Sequence, residues 1–255
     1  MKAVILAGGF GTRISEESYL KPKPMVEIGD KPIIWHIMKI YSHYGINEFI
    51  ICLGYKGYLI KEYFSNFLLH SSDLTIDMQK NSFEFHNKSK EHWKVTLVDT
   101  GLNTMTGGRL KRLSKYLGNE TFCMTYGDGL SNINIKKLIS FHKKNKLNAT
   151  VTGVCAPGRY GVIHSKNGRI KEFSEKIKNK NNLINGGFFV LNPVVLNYIR
   201  NDKTIWEKEP MEKLTKKGDI GVYKHTDFWQ SMDTMREKRI LEDLWNKNQA
   251  PWKLW

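Results

Sequence analysis

Met1-Lys-Ala-Val-Ile-Leu-Ala-Gly-Gly-Phe-Gly-Thr-Arg13 opens the chain. Lys2–Ala7 is a short apolar run that ends in a cluster of glycines. Continuous rather than alternating apolarity is what a strand buried on both faces of a parallel sheet requires. Gly8, Gly9 and Gly11 let the backbone come close to a ligand and aim several N–H groups at one point, the way a phosphate is held without side-chain bulk. Arg13 adds a planar fork of donors matched to phosphate oxygens. The glycines alone also fit a tight strand-to-helix turn. The string is neither a P-loop, G-x-x-x-x-G-K-[ST], nor the dinucleotide fingerprint G-x-G-x-x-G.

Outward from this stretch, strand and helix alternate. Ile33, Ile34, Ile37, Met38, Ile40, Tyr41 and Tyr44 recur at helical spacing, and Gly45 supplies the stop. Phe49–Leu53 reads as a second buried strand, then 56–69 as helix, 93–99 as strand, 106–117 as helix, 122–126 as strand and 135–146 as helix. The connections are long enough for crossovers, which predicts an α/β fold with a doubly wound, mostly parallel, Rossmann-like sheet. From Ala149 the texture changes to short alternating runs, 162–164, 170–173 and 184–191, separated by glycine- and asparagine-rich turns. These read as an antiparallel elaboration, followed by helices near 206–217 and 234–247. With no linker and no internal repeat, 1–255 is expected to be one domain, with 1–148 and 149–255 as its two parts.

Composition narrows the function classes. The 255 residues are 40% hydrophobic and 25% charged, which excludes collagenous, low-complexity and wholly disordered chains. No apolar stretch approaches the roughly 18 residues of a membrane span, and the N-terminal apolar run is shorter than the roughly 7–15 residues of a signal-peptide core. A cytoplasmic protein without membrane partners is expected. Cys52, Cys123 and Cys155 each lie inside an apolar run, without the close pairing of a zinc site or disulfide framework. The net charge of +15 points to an anionic partner, yet residues 101–200 hold 17 basic side chains against 4 acidic ones, so most of the excess is local. Any carboxylate in that stretch stands out.

Three further segments can carry chemistry. Lys21-Pro-Lys-Pro-Met25 brackets Lys23 with prolines, which predicts a stiff, extended backbone and an ammonium held in place. Thr125-Tyr-Gly-Asp-Gly129 closes a predicted buried strand, where ligands of open α/β sheets bind. Its Asp128 can hold Mg²⁺ against a phosphate, although Asp-Gly is also an ordinary turn pair. Glu175, Lys176, Asn185, Gly186 and Asp233 each stand at the edge of a strand-like run: Glu175 and Asn185 suit substrate hydroxyls, Lys176 a phosphate and Asp233 a second metal. Taken singly, each is more often an ordinary exposed polar residue than a ligand-binding one.

In order along the chain, GGFGTR, KPKPMVEI, TYGDG, FSEK, NGGFFV and WQSMDT resemble the sugar-1-phosphate nucleotidylyltransferases from the first strand to the last helix. The stretches KPKPMVEIGDKPIIWHIMKIYSHYGI, ICLGYKGYLIKEYF, VTLVDTG, MTGGRLKR and the ending APWKLW are similar to the branch that uses CTP and glucose 1-phosphate. The resemblance implies those two substrates, Mg²⁺ as cofactor, CDP-glucose and pyrophosphate as products, and surface-polysaccharide sugars as the destination. It implies further that Leu6, Ala7, Gly8, Gly9 and Phe10 border the nucleotide, while Gly11, Thr12 and Arg13 cradle the triphosphate. Lys23, with Arg13 and Asp128, would act on the reacting phosphates; Thr104 and Arg109 would lie near the base. Asp128 and Asp233 would hold the metal, and Glu175, Lys176, Asn185 and Gly186 the sugar. A homo-oligomer, with a hexamer as one form, is implied too, and Trp245, Trp252 and Trp255 offer a contact surface. Two positions depart from the family pattern: Ile177 stands where Glu-Lys is usually followed by proline, and Asp30 where glycine would be unsurprising.

Two rival readings remain at this level. UTP or dTTP would use the same glycine loop, lysine and acids, so the nucleotide rests on the resemblance around 100–112. A basic nucleic-acid-binding protein on a degenerate scaffold draws only on net charge, since no recognition motif is present and the lysines at 136, 137, 143, 144 and 146 suit the wet side of a helix. The resemblance implies no nucleic-acid partner.

Overall fold

A computed structural model describes residues 1–86, 91–155, 162–166, 169–174 and 183–255. Seven strands form the central sheet: β1 (Lys2–Leu6), β2 (Glu48–Leu53), β3 (Lys94–Asp99), β4 (Phe122–Tyr126), β5 (Ala149–Cys155), β6 (Leu183–Leu191) and β7 (Ile220–His225). Their order is β7-β5-β6-β4-β1-β2-β3. β1 pairs in parallel with both β2 and β4, β2 with β3, and β5 with β7. β6 alone of the seven runs the other way, antiparallel to β4 and to β5. The sheet is therefore mostly parallel and α/β, as the alternation of elements requires, and the antiparallel texture after residue 149 comes down to β6 within this sheet. Residues 162–166 and 169–174 form a separate antiparallel pair.

The opening strand shows why its apolarity is unbroken. Ala3 and Ile5 join a core on one face of the sheet, packed beneath α1 (Ile33–His43), while Val4 and Leu6 join a second core on the other face. Successive strand side chains point to opposite faces, so only a strand covered on both sides needs every residue apolar. The second face is covered by α4 (Thr106–Arg112), through Leu110, and by α7 (Glu209–Lys216), through Leu214. Between α1 and α4 in sequence, α2 (Gly57–Ser65) and α3 (Phe67–Ser71) replace the single helix expected over 56–69, the chain breaking at Asn66. Likewise the helix expected over 106–117 is divided into α4 and α5 (Ser114–Leu117). α6 (Ile135–Asn145) keeps its lysines exposed, and Lys146 ends it in the left-handed conformation at φ 52°.

Several features were not legible from periodicity. Asp73–Asp77 and Ser82–His86 form an antiparallel hairpin in a stretch without a clear strand pattern. Of the three C-terminal tryptophans expected to offer a contact surface, Trp252 is withdrawn from the surface while Trp245 and Trp255 stay partly exposed. Trp252 is fully buried against the core, its ring stacked on Phe228, and Trp245 and Trp255 pack beside it around His36 and Trp35. After α8 (Met235–Asn246) the chain turns back onto α1, because large aromatic surface is buried most readily on the molecule's own apolar helix. Asp30 does sit in an exposed turn beside Gly29. The three cysteines are buried and free, and burial pushes the Cys52 and Cys123 thiols up to about 12. Among the described residues no helix is long and apolar enough to cross a membrane.

Candidate active site

The glycine loop continues β1 past the sheet edge: Ala7 N–H still donates to Cys52 O at 3.0 Å, and then the chain turns away. Gly11 takes φ +66°, and a side chain there would stand 3.2 Å from the Lys23 side chain. The loop and Lys23 are thus pressed together, and only glycine satisfies both the backbone angle and the space. Thr12–Ile14 is a short 3₁₀ turn; the Arg13 side chain lies outside the described residues.

The proline bracket differs from the extended run expected. Lys23–Met25 is a 3₁₀ turn, closed by Met25 N–H donating to Pro22 O at 2.7 Å and Val26 N–H to Lys23 O at 3.1 Å. The stiffness survives in another form, because the turn and the prolines together immobilise the lysine stem. Its Nζ donates to Asp128 Oδ2 at 2.6 Å and to Asp233 Oδ1 at 2.6 Å. Three positions separated by more than a hundred residues each thus meet at one point.

The strands explain the meeting. Asp128 follows the C-terminal end of β4, where Gly127 N–H donates to Leu6 O at 3.1 Å and holds the turn against β1. Beyond it, Gly129–Ser131 pairs antiparallel with Trp229–Ser231, and Met232 N–H donates to Asp128 O at 2.8 Å. That pairing delivers Asp233, whose own N–H donates to Glu237 Oε2 at 2.7 Å beside the capping box that starts α8. Two carboxylates thus converge on one ammonium. Two hard oxygen donors aimed at one place, with the remaining positions open to phosphates and water, fit a Mg²⁺-sized ion. Among the described residues no cluster of three or more such ligands occurs, so substrate would have to complete the coordination.

Arg109, expected near the base, stands beside the glycine loop. Its guanidinium is buried and spent on the protein: Nη1 donates to Leu53 O, Thr100 Oγ1 and Gly101 O at 3.0, 2.7 and 2.8 Å, and Nη2 to Gly8 O and Leu102 O at 2.9 and 3.2 Å. It ties the glycine loop to the ends of β2 and β3 and lines the cavity while doing so. A side chain on Gly8 would strike it at 2.2 Å.

All these groups border one cavity of about 760 Å³ at the C-terminal ends of the central strands. Leu6 to Thr12, Lys23, Thr104, Arg109, Asp128, Asn185, Gly186 and Asp233 all line it. Glu175, Lys176 and the neighbouring Ile177 lie outside the described residues. Among the wall residues missed in sequence are Tyr126, Glu207 and Trp229, whose Nε1 donates to Gly186 O at 2.6 Å. No motif marks Glu207, which sits in the run Trp206-Glu-Lys-Glu209 of alternating charge; only the fold brings it to the cavity.

Comparison with known proteins gives a consistent result. A family model described as nucleotidyl transferase matches residues 2–230. A glucose-1-phosphate cytidylyltransferase of Salmonella typhimurium is 56% identical over the whole of both chains. A Bacillus subtilis protein named probable glucose-1-phosphate cytidylyltransferase is 46% identical, again over the whole of both chains. Among solved structures, HddC from Yersinia pseudotuberculosis superposes with TM-score 0.68 over 96% of this chain and 99% of its own, at 23% identity, a likeness of fold.

Proposed function

The chain belongs to the nucleotidyl transferase family, and from that premise we propose that it transfers a cytidylyl group from CTP to α-D-glucose 1-phosphate. The observation that carries the chemistry is the Lys23 ammonium held between Asp128 and Asp233 directly beside the glycine loop. A phosphate oxygen of the sugar phosphate attacks the α-phosphorus of CTP, the bond to the bridging oxygen of the β-phosphate breaks, and pyrophosphate leaves as CDP-glucose forms. No protein nucleophile is needed. What the protein must supply is placement of two anions and neutralisation of the charge that spreads over the transferring group.

The backbone N–H groups of Gly8 to Gly11 are available to the triphosphate, with Thr12 and Arg13 completing the cradle. Lys23 moves its ammonium from the carboxylates to the α-phosphate and the incoming phosphate. Asp128 and Asp233 would hold Mg²⁺, which when bound would supply neutralisation of phosphate charge. Residues 1–148 serve the nucleotide and 149–255 the sugar, within one domain. The enzyme is cytoplasmic and has no nucleic-acid partner.

Self-association into a homo-oligomer, a hexamer included, belongs to the same reading. In the hairpin, Ile76 stands opposite Phe83 and Leu74 opposite Phe85, an apolar face on which Ile76 and Phe83 are more than half exposed. An isolated two-stranded hairpin is marginal in water, so such a face calls for a cover. The catalytic assignment is tested by measuring pyrophosphate release from CTP, UTP, dTTP and GTP, each with glucose 1-phosphate. Fastest turnover with CTP is expected; fastest turnover with another nucleotide overturns it.

A further inference from the structure

Among the described residues Glu207 is the third carboxylate lining the cavity, with Asp128 and Asp233, and no described cation bonds to it. Its two recorded partners are hydroxyls: Tyr126 Oη donates to Oε1 at 2.5 Å and Thr106 Oγ1 to Oε2 at 2.6 Å. Each hydroxyl is itself fixed by an incoming donor. Asn185 Nδ2 donates to Tyr126 Oη at 3.1 Å, and Trp206 N–H to Thr106 Oγ1 at 2.9 Å. Asn185 is held in that sense because its Oδ1 accepts from Gly187 N–H at 2.8 Å. Burial, followed by the nearby Glu207 charge, raises the Tyr126 phenol far above its ordinary range, so it remains a donor. Two chains of hydrogen bonds, entering from strand β6 and from the Trp206 backbone, thus end on one carboxylate.

A carboxylate can accept about four hydrogen bonds, and two sites are taken. The remaining acceptor capacity belongs to a residue lining a cavity that, on the proposed reaction, must take in two anions. Facing a phosphate, an uncompensated carboxylate would repel the substrate; facing uncharged donors, it recognises them with a charge-assisted hydrogen bond. Its position selects between the two substrates. Arg109 and the glycine loop sit over β1, β2 and β3, and the Lys23 group lies at the β1–β4 junction. Tyr126 and Asn185 stand on β4 and β6, on the opposite side of that group.

We infer that Glu207 is a specificity residue of the acceptor site, taking hydrogen bonds from sugar hydroxyls while Tyr126 and Thr106 hold its carboxylate in register. This deepens the nucleotidyl-transfer reading and rests on it. Glu207→Gln keeps the size of the side chain, removes the charge and turns one acceptor into a donor aimed at a hydroxyl that is itself held as a donor.

The test compares wild type and Glu207→Gln with glucose 1-phosphate and its 2-, 3-, 4- and 6-deoxy analogues, with Tyr126→Phe as a second variant. For Glu207→Gln the KM for glucose 1-phosphate rises at least about tenfold, as when a hydrogen bond to a charged group is lost, while the KM for CTP stays within about twofold. At least one deoxy analogue is discriminated against by wild type and no longer by the variant. Tyr126→Phe moves the same KM in the same direction. Equal discrimination in both proteins, or a shift confined to the KM for CTP, overturns the inference. If wild type prefers another nucleotide or sugar phosphate, the proposed reaction fails by itself, and the same comparison run on the preferred pair still decides the role of Glu207.

Discussion

Lys23 is the residue on which the proposed reaction turns. Its prolines, its 3₁₀ turn and its two carboxylate partners all reduce the freedom of the ammonium before any substrate arrives. Preorganised charge costs little reorganisation when the transition state forms, which is where electrostatic catalysis gains most. Lys23→Ala and Asp128→Asn are each expected to lower kcat at least about a hundredfold, with circular dichroism unchanged; variants retaining wild-type kcat contradict the mechanism. A different residue reports on the fold. His36 is fully buried, with Nε2 donating to Ile28 O at 3.0 Å and Nδ1 accepting from Trp252 Nε1 at 3.3 Å, so the partners assign the neutral tautomer. Burial pushes its pKa from the ordinary 6.5 down to about 4. The unfolded chain therefore binds this proton more tightly. The stabilisation is complete above pH 6.5, falls as pH drops through that value and is gone near pH 4, an effect of about 3 kcal/mol. Urea midpoints at several pH values within this window should fall more steeply for wild type than for His36→Gln; parallel slopes refute the assignment.

At the scale of elements, the site is a set of loops at strand ends braced by one guanidinium. Arg109 reaches from α4 to the glycine loop and to the ends of β2 and β3, five hydrogen bonds in all. Lysine cannot reproduce that fork. Arg109→Lys is expected to lower stability by about 2–4 kcal/mol, since several bonds to a charged donor are lost and buried carbonyls are left unpaired. It should also raise the KM for CTP, because the loop is no longer held; chemical denaturation and steady-state kinetics read the two effects. The C-terminal segment is braced in a comparable way through Trp252, packed between Phe228 and Trp245. Trp252→Ala should cost about 3–5 kcal/mol, as for other buried aromatic truncations. A loss below about 1 kcal/mol would mean that the tail is dispensable.

For the whole molecule, the continuous sheet joins both parts of the chain, with β5, β6 and β7 hydrogen-bonded onto the β4 edge of the opening four strands. A cavity at the strand ends is consequently walled by residues from both 1–148 and 149–255. The exposed hairpin is where self-association is expected. Light scattering should show an oligomer for the wild type and a smaller species for an Ile76→Ser, Phe83→Ser double variant; a monomeric wild type removes the assembly from the reading. The sequence by itself determined the strand–helix alternation, the buried opening strand, the glycine loop, Lys23 and Asp128, because each is written in local periodicity or in a short run of residues with a backbone consequence. Only the tertiary structure decided that Lys23 bridges Asp128 and Asp233, that Arg109 braces a loop, that Trp252 folds inward, and that Glu207 lines the cavity. Those facts depend on strand order and on pairings between residues far apart in the chain, and no local pattern of apolar and polar residues records which distant partner a side chain will meet.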